Sequence, residues 1–73
     1  MTIKLETLEA VFTDHPPTGQ QEQDDLVLRS KAKDFADAIL RLTPVCGDQQ
    51  AALRHLRIAL MEANAAIALE GLV

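Results

Sequence analysis

Two long stretches whose apolar residues return every three or four positions, parted by the segment TPVCGD at 43–48, constrain this chain more than anything else in it. In the first stretch Leu28, Ala32, Phe35, Ala36, Ile39 and Leu42 fall on one face, with Leu26 and Leu40 widening it. That period predicts an amphipathic helix over residues 21–43. In the second, Leu53, Leu56, Leu60, Ala63 and Ile67 form the packing seam of a helical bundle and predict a helix over 48–70. Between them Pro44 cannot continue a helix, Gly47 supports a turn, and Asp48 is a good N-cap for the second helix. A connection this short between long helices makes an antiparallel hairpin, and the fold class is all-α.

Residues 1–20 form an N-terminal arm and a proline loop. Ile3, Leu5, Leu8, Val11 and Phe12 have mixed spacings that suit a short helix with Thr2 as N-cap, or an extended arm. The loop holds Pro16 and Pro17, which fix φ and supply no N–H, so the chain enters its longest helix from a stiff, extended lead. Residues 1–73 make a single domain.

With 73 residues, two Phe and no Tyr or Trp, such a chain buries too little surface alone for comfortable stability. The lone Cys46 excludes an internal disulfide, so association with further copies is the expected remedy. The apolar stripe on each helix is wider than one partner needs, and Ala52, Ala59 and Ala66 recur every seven residues as a strip of small side chains. A homo-oligomeric helical bundle is therefore expected, with Leu53, Leu56, Ala59, Leu60, Ala63, Asn64 and Ile67 at the interface. Asn64, an amide among alanines, is assigned a hydrogen bond across helices that fixes register.

The net charge of −4 argues against binding DNA or RNA polymers, which calls for a basic face. No apolar run reaches membrane-spanning length, and the opening MTIKLETLEA has acids where a signal peptide needs an apolar core; no membrane partner and a cytoplasmic location are expected. Cys46, His15 and His55 lack the spacing of a zinc site, so neither a metal nor a cofactor is expected.

Asp25, Arg29, Lys33, Asp37 and Arg41 recur every four residues. As a ladder of (i, i+4) ion pairs they would only solubilise an exposed face, and for Asp37 and Arg41 that is the preferred reading. Arg29 and Lys33, one turn apart and close to the helix start, also suit an anion site together with free N–H groups, although the ladder alone accounts for them more simply. His15 could stack on a base or donate to a phosphate, but loop histidines more often satisfy local backbone. Arg54, His55 and Arg57 read as a small solvated patch. Cys46 has no base beside it, and no phosphate loop, acid pair or serine elbow is present, so the chain is not expected to be an enzyme. A phosphodiesterase, the nearest enzymatic option, would need a metal or a general base beside an activated water.

The segments FTDHPPTGQQ, LRSKAKDFADAI and ALRHLRIALMEANAAIA, in that order between Phe12 and Ala68, resemble a family of small phage proteins. It is the second class of anti-CBASS proteins, which shares a helical hairpin domain with certain anti-Thoeris proteins. The resemblance implies a non-enzymatic sponge in the host cytoplasm: a homo-oligomer, hexameric in the family, that sequesters cyclic dinucleotides, and in some members cyclic trinucleotides, away from host antiphage effectors. It implies a ligand site at Asp14, His15, Pro16, Pro17, Thr18, Arg29 and Lys33, with the stiff loop as a pre-organised wall and the cations on phosphates. Asp14 stands where the family often has an aromatic residue, Asp25 near a frequent Tyr, and Leu69 where a basic residue is common. A carboxylate can pair with the N–H groups of a guanine edge. A different class of function, a protein-binding adaptor docking through the apolar helix face, uses the same surplus surface.

Overall fold

The computed structural model describes residues 3–13 and 16–70. Three helices follow in order, α1 (Leu5–Phe12), α2 (Gly19–Leu42) and α3 (Gly47–Ala68), and α2 and α3 pack against each other as a hairpin. There is no strand among the described residues. The N-terminal segment is thus a helix over its described part and not an extended arm. Its N-cap is Lys4, whose N–H donates to the Thr7 hydroxyl at 3.0 Å. The expected cap Thr2 lies outside the described residues.

Helix α2 starts two residues ahead of expectation, at Gly19, with Thr18 as its cap. Thr18 is extended, the Gln21 N–H donates to its hydroxyl at 3.2 Å, and the Thr18 N–H donates back to Gln21 Oε1 at 3.0 Å. This reciprocal pair satisfies donors that a helix start leaves open. The proline loop therefore delivers an extended chain straight into a capping box. Gln21 also donates from Nε2 to the Ile67 carbonyl of α3 at 3.0 Å, latching the open end of the hairpin.

At the other end the Thr43 N–H and hydroxyl both donate to the Ile39 carbonyl, at 3.1 and 2.6 Å, closing α2 ahead of Pro44. Helix α3 begins at Gly47 with Cys46 in the N-cap position, so Asp48 sits in the first turn and is not the cap. Its carboxylate still favours the positive end of the helix. Gln49 donates to the Thr43 carbonyl at 3.2 Å and accepts from Gln50 at 3.2 Å, which holds the turn across its base. The helix ends at Ala68, with Glu70 in the left-handed region at φ 51° and the Leu69 N–H on the Ala65 carbonyl at 2.8 Å.

Only two described residues are buried: Ile39, 8% exposed, and Gln49, 3% exposed, both at the turn. Along the rest of the seam Leu28, Ala32, Ala36, Leu53, Leu56, Leu60 and Ile67 are half-buried. The molecule extends 46 × 27 × 14 Å, so it is a single layer of helices with no second layer to enclose their apolar faces. Helix α1 packs against neither long helix.

A candidate anion-binding hollow on the hairpin

Midway along the hairpin Arg29 and Lys33 of α2 and Arg57 of α3 flank a hollow of about 390 Å³ floored by Ala32, Ala36, Leu53, Leu56 and Leu60. The sequence dictates it locally. Alanines at 32 and 36 stop at Cβ, which lowers the α2 surface for two successive turns, and the cations at 29 and 33 stand on the neighbouring row. Antiparallel pairing then sets Arg57 opposite them. An apolar floor with a few charged groups at its edge is the general form of a small-ligand site, and the volume falls within the usual range of roughly 300–1,000 Å³.

The charges there are uncommitted. Of the expected ladder one rung exists, Arg41 to Asp37 at 2.9 Å, on side chains 75% and 60% exposed. Among the described residues neither Arg29 nor Lys33 has an ion-pair partner. The reason lies at the ladder's other acids. Asp37 is engaged by Arg41, and Asp25 turns inward, with Oδ1 buried and unpaired, instead of reaching Arg29. Arg57, read from sequence as part of a solvated patch, joins the two α2 cations at the hollow. Pairing the seams of the two helices antiparallel is the signal that finds it.

The residues assigned to the ligand site do not all meet in one chain. Pro16, Pro17 and Thr18 are exposed, and Asp14 and His15 lie outside the described residues. Arg29 is eleven residues beyond Thr18, roughly 16 Å along the helix axis. The free N–H groups of the helix start therefore do not combine with the cations, and the Gln21 and Glu22 N–H groups are taken by Thr18. Of the residues assigned to an oligomer interface, Leu53, Leu56, Leu60, Ala63, Asn64 and Ile67 are half-buried, and Ala59 is exposed. The structure thus places most of this set on the hairpin's own seam. Asn64 makes no cross-helix hydrogen bond among the described residues; its Oδ1 is buried without a partner, and Gln21 supplies the link instead. A second groove of about 260 Å³ lies alongside, lined by Leu28, Phe35, Leu56, Ala59, Leu60 and Ala63 with Lys31 at its edge.

Among the described residues no group of His, Cys, Asp and Glu is placed to hold a metal, and no helix is long and apolar enough to cross a membrane. The family model of the Acb2/Tad1 hairpin domain matches residues 4–68, a span that takes in all three helices. Neither a curated protein nor a solved structure matches the chain.

Proposed function

Because this chain belongs to the Acb2/Tad1 hairpin-domain family, the anti-CBASS and anti-Thoeris sponge proteins, we propose that it sequesters cyclic oligonucleotide second messengers without hydrolysing them. The family is one of binding proteins, not of enzymes, and its ligands are small cyclic nucleotides. The observation that carries the reading to this chain is the hollow itself: unpaired cations over an apolar floor suit a ligand with charged phosphates and flat, weakly polar bases. In this reading Arg29 and Lys33 take phosphates. The Asp14, His15, Pro16, Pro17 and Thr18 loop serves as a rigid wall supplied by a second copy, since within one chain Thr18 stands roughly 16 Å from Arg29 along the helix axis. The protein works as a homo-oligomer, a hexamer by analogy with the family, in the cytoplasm of the infected host. That such a thin hairpin buries almost nothing on its own supports the assembly.

Calorimetric titration with a panel of cyclic di- and trinucleotides tests the proposal, and silence across the panel would refute it. Replacing both cations, Arg29→Ala with Lys33→Ala, removes charge-assisted hydrogen bonds of ~1.5–3 kcal/mol each, a loss of about tenfold or more in affinity per residue, while stability barely changes. Ligand recovered intact after denaturing a loaded complex would exclude hydrolysis. The adaptor reading rests on the exposed apolar side chains Leu26, Val27, Ile58 and Met61, and a monomeric mass in solution would favour it.

A further inference from the structure

The charges around the hollow run against those of the chain as a whole. Eleven acidic residues outnumber seven basic ones in the sequence, yet the hollow is lined by three cations, Arg29, Lys33 and Arg57, and by no acid. Arg57 is the most isolated of the three. On its own helix the positions three and four residues away are Leu53, Arg54, Leu60 and Met61, so no carboxylate stands where an ion pair along the helix would form. Arg29 and Lys33 at least have Asp25 and Asp37 four residues off. The Arg57 side chain is exposed and has no ion-pair partner among the described residues. Its cationic neighbour Arg54 shares with it a different hollow, of about 270 Å³ beside Ile58 and Met61, and does not line this one.

The placement is two-sided. Arg29 and Lys33 stand on α2 and Arg57 on α3, with the apolar floor between them. The axes of packed helices lie about 8–10 Å apart, so one small anion held by the α2 pair does not also serve Arg57. A ligand that answers all three cations carries anionic groups on both sides of a compact, weakly polar middle. The planar guanidinium, with parallel N–H donors, suits a phosphodiester on the α3 side. We propose that Arg57 is a further binding residue, which holds a second phosphate, so that one molecule with two phosphodiesters lies across the α2–α3 seam with one phosphate on Arg29 and Lys33 and the other on Arg57. The inference rests on the nucleotide-binding reading and adds to it a residue of α3 and a grip from two rims. A molecule with one phosphate meets one rim and binds more weakly.

Calorimetric titration tests this with the cyclic dinucleotide that binds the unaltered protein most tightly. The variants are Arg57→Ala and, as a control that removes the same charge from the same helix, Arg54→Ala. The expected losses of affinity are about tenfold or more for Arg57→Ala and less than about twofold for Arg54→Ala, whose charge acts only through screened solvent. Arg57→Lys keeps the charge without the fork and should fall between. Joining Arg57→Ala to Lys33→Ala should multiply the two losses, because the two side chains act on different phosphates. Equal losses for Arg54→Ala and Arg57→Ala would reduce Arg57 to part of a general positive field and overturn the proposal. A double variant no weaker than Lys33→Ala alone would overturn it as well. Circular dichroism and mass in solution are compared for every variant, and if Arg57→Ala alters either, Arg57→Gln, which keeps a long side chain, takes its place. Silence of the unaltered protein toward every cyclic di- and trinucleotide would sink the sponge reading and this inference with it. A protein that binds, and binds equally well without Arg57, would sink the inference alone.

Discussion

The two ends of the hairpin are built differently. At the turn, Ile39 and Gln49 are buried, Thr43 closes α2 twice over, and Gln49 spans the base of the turn. At the open end Gln21 ties α2 to α3, and among the described residues two buried oxygens, Asp25 Oδ1 and Asn64 Oδ1, have no hydrogen-bond partner. An unsatisfied buried acceptor costs about 1–3 kcal/mol. The chain thus stabilises itself where the two helices are joined. Toward its other end it keeps polar groups that its own fold does not satisfy, which is where a second copy has something to add.

The contrast can be broken by mutation, with unfolding measured at fixed protein concentration because association makes stability concentration-dependent. Ile39→Ala should have the largest effect, a loss of about 2–4 kcal/mol in a denaturant titration, since it empties the one buried apolar site described. A loss below about 1 kcal/mol would mean that the turn is not the hairpin's anchor. Next, Gln21→Ala removes both the return half of the capping box and the bond to Ile67, for about 1–2 kcal/mol. Amide exchange should then rise at the open end and leave the turn protected; uniform loosening would erase the distinction between the ends. Smallest, and opposite in sign, Asn64→Leu should gain about 1 kcal/mol by removing an orphaned acceptor. A loss instead would show that the amide finds its partner in the assembled protein, sharpening the view of the open end as an interface.

Much of the hairpin was legible because its cause is local. Leu28, Ala32, Phe35, Ala36 and Ile39 declare a helix by spacing alone, and Pro44 with Gly47 declares the break. The caps were less so. Thr18 and Gln21 have the residue types of a cap, but their reciprocal pairing as a threonine-x-x-glutamine box is fixed only where the backbone turns into the helix. Asp48 has the residue type of a cap, but the backbone turns at Cys46, and residue type does not fix where a chain turns. The candidate site was legible only in half. Arg29 and Lys33 stand out by their spacing on one helix, while Arg57 is opposite them only after two helices are laid antiparallel in one register.

By itself, then, the sequence determined the all-helical class, the hairpin and the family, because helical period, breakers and motif are properties of neighbours along the chain. The tertiary structure decided which charges were left over. Arg29 and Asp25 are four residues apart and could pair, as Arg41 and Asp37 do at 2.9 Å, yet the Asp25 carboxylate is turned inward. It likewise decided that α1 packs on neither long helix and that Thr18 and Arg29 lie roughly 16 Å apart along α2 in one chain. The physical reason is the same in each case. Pairing, docking and burial are choices among partners distant in sequence, and the competition between those partners is settled only when the helices have packed.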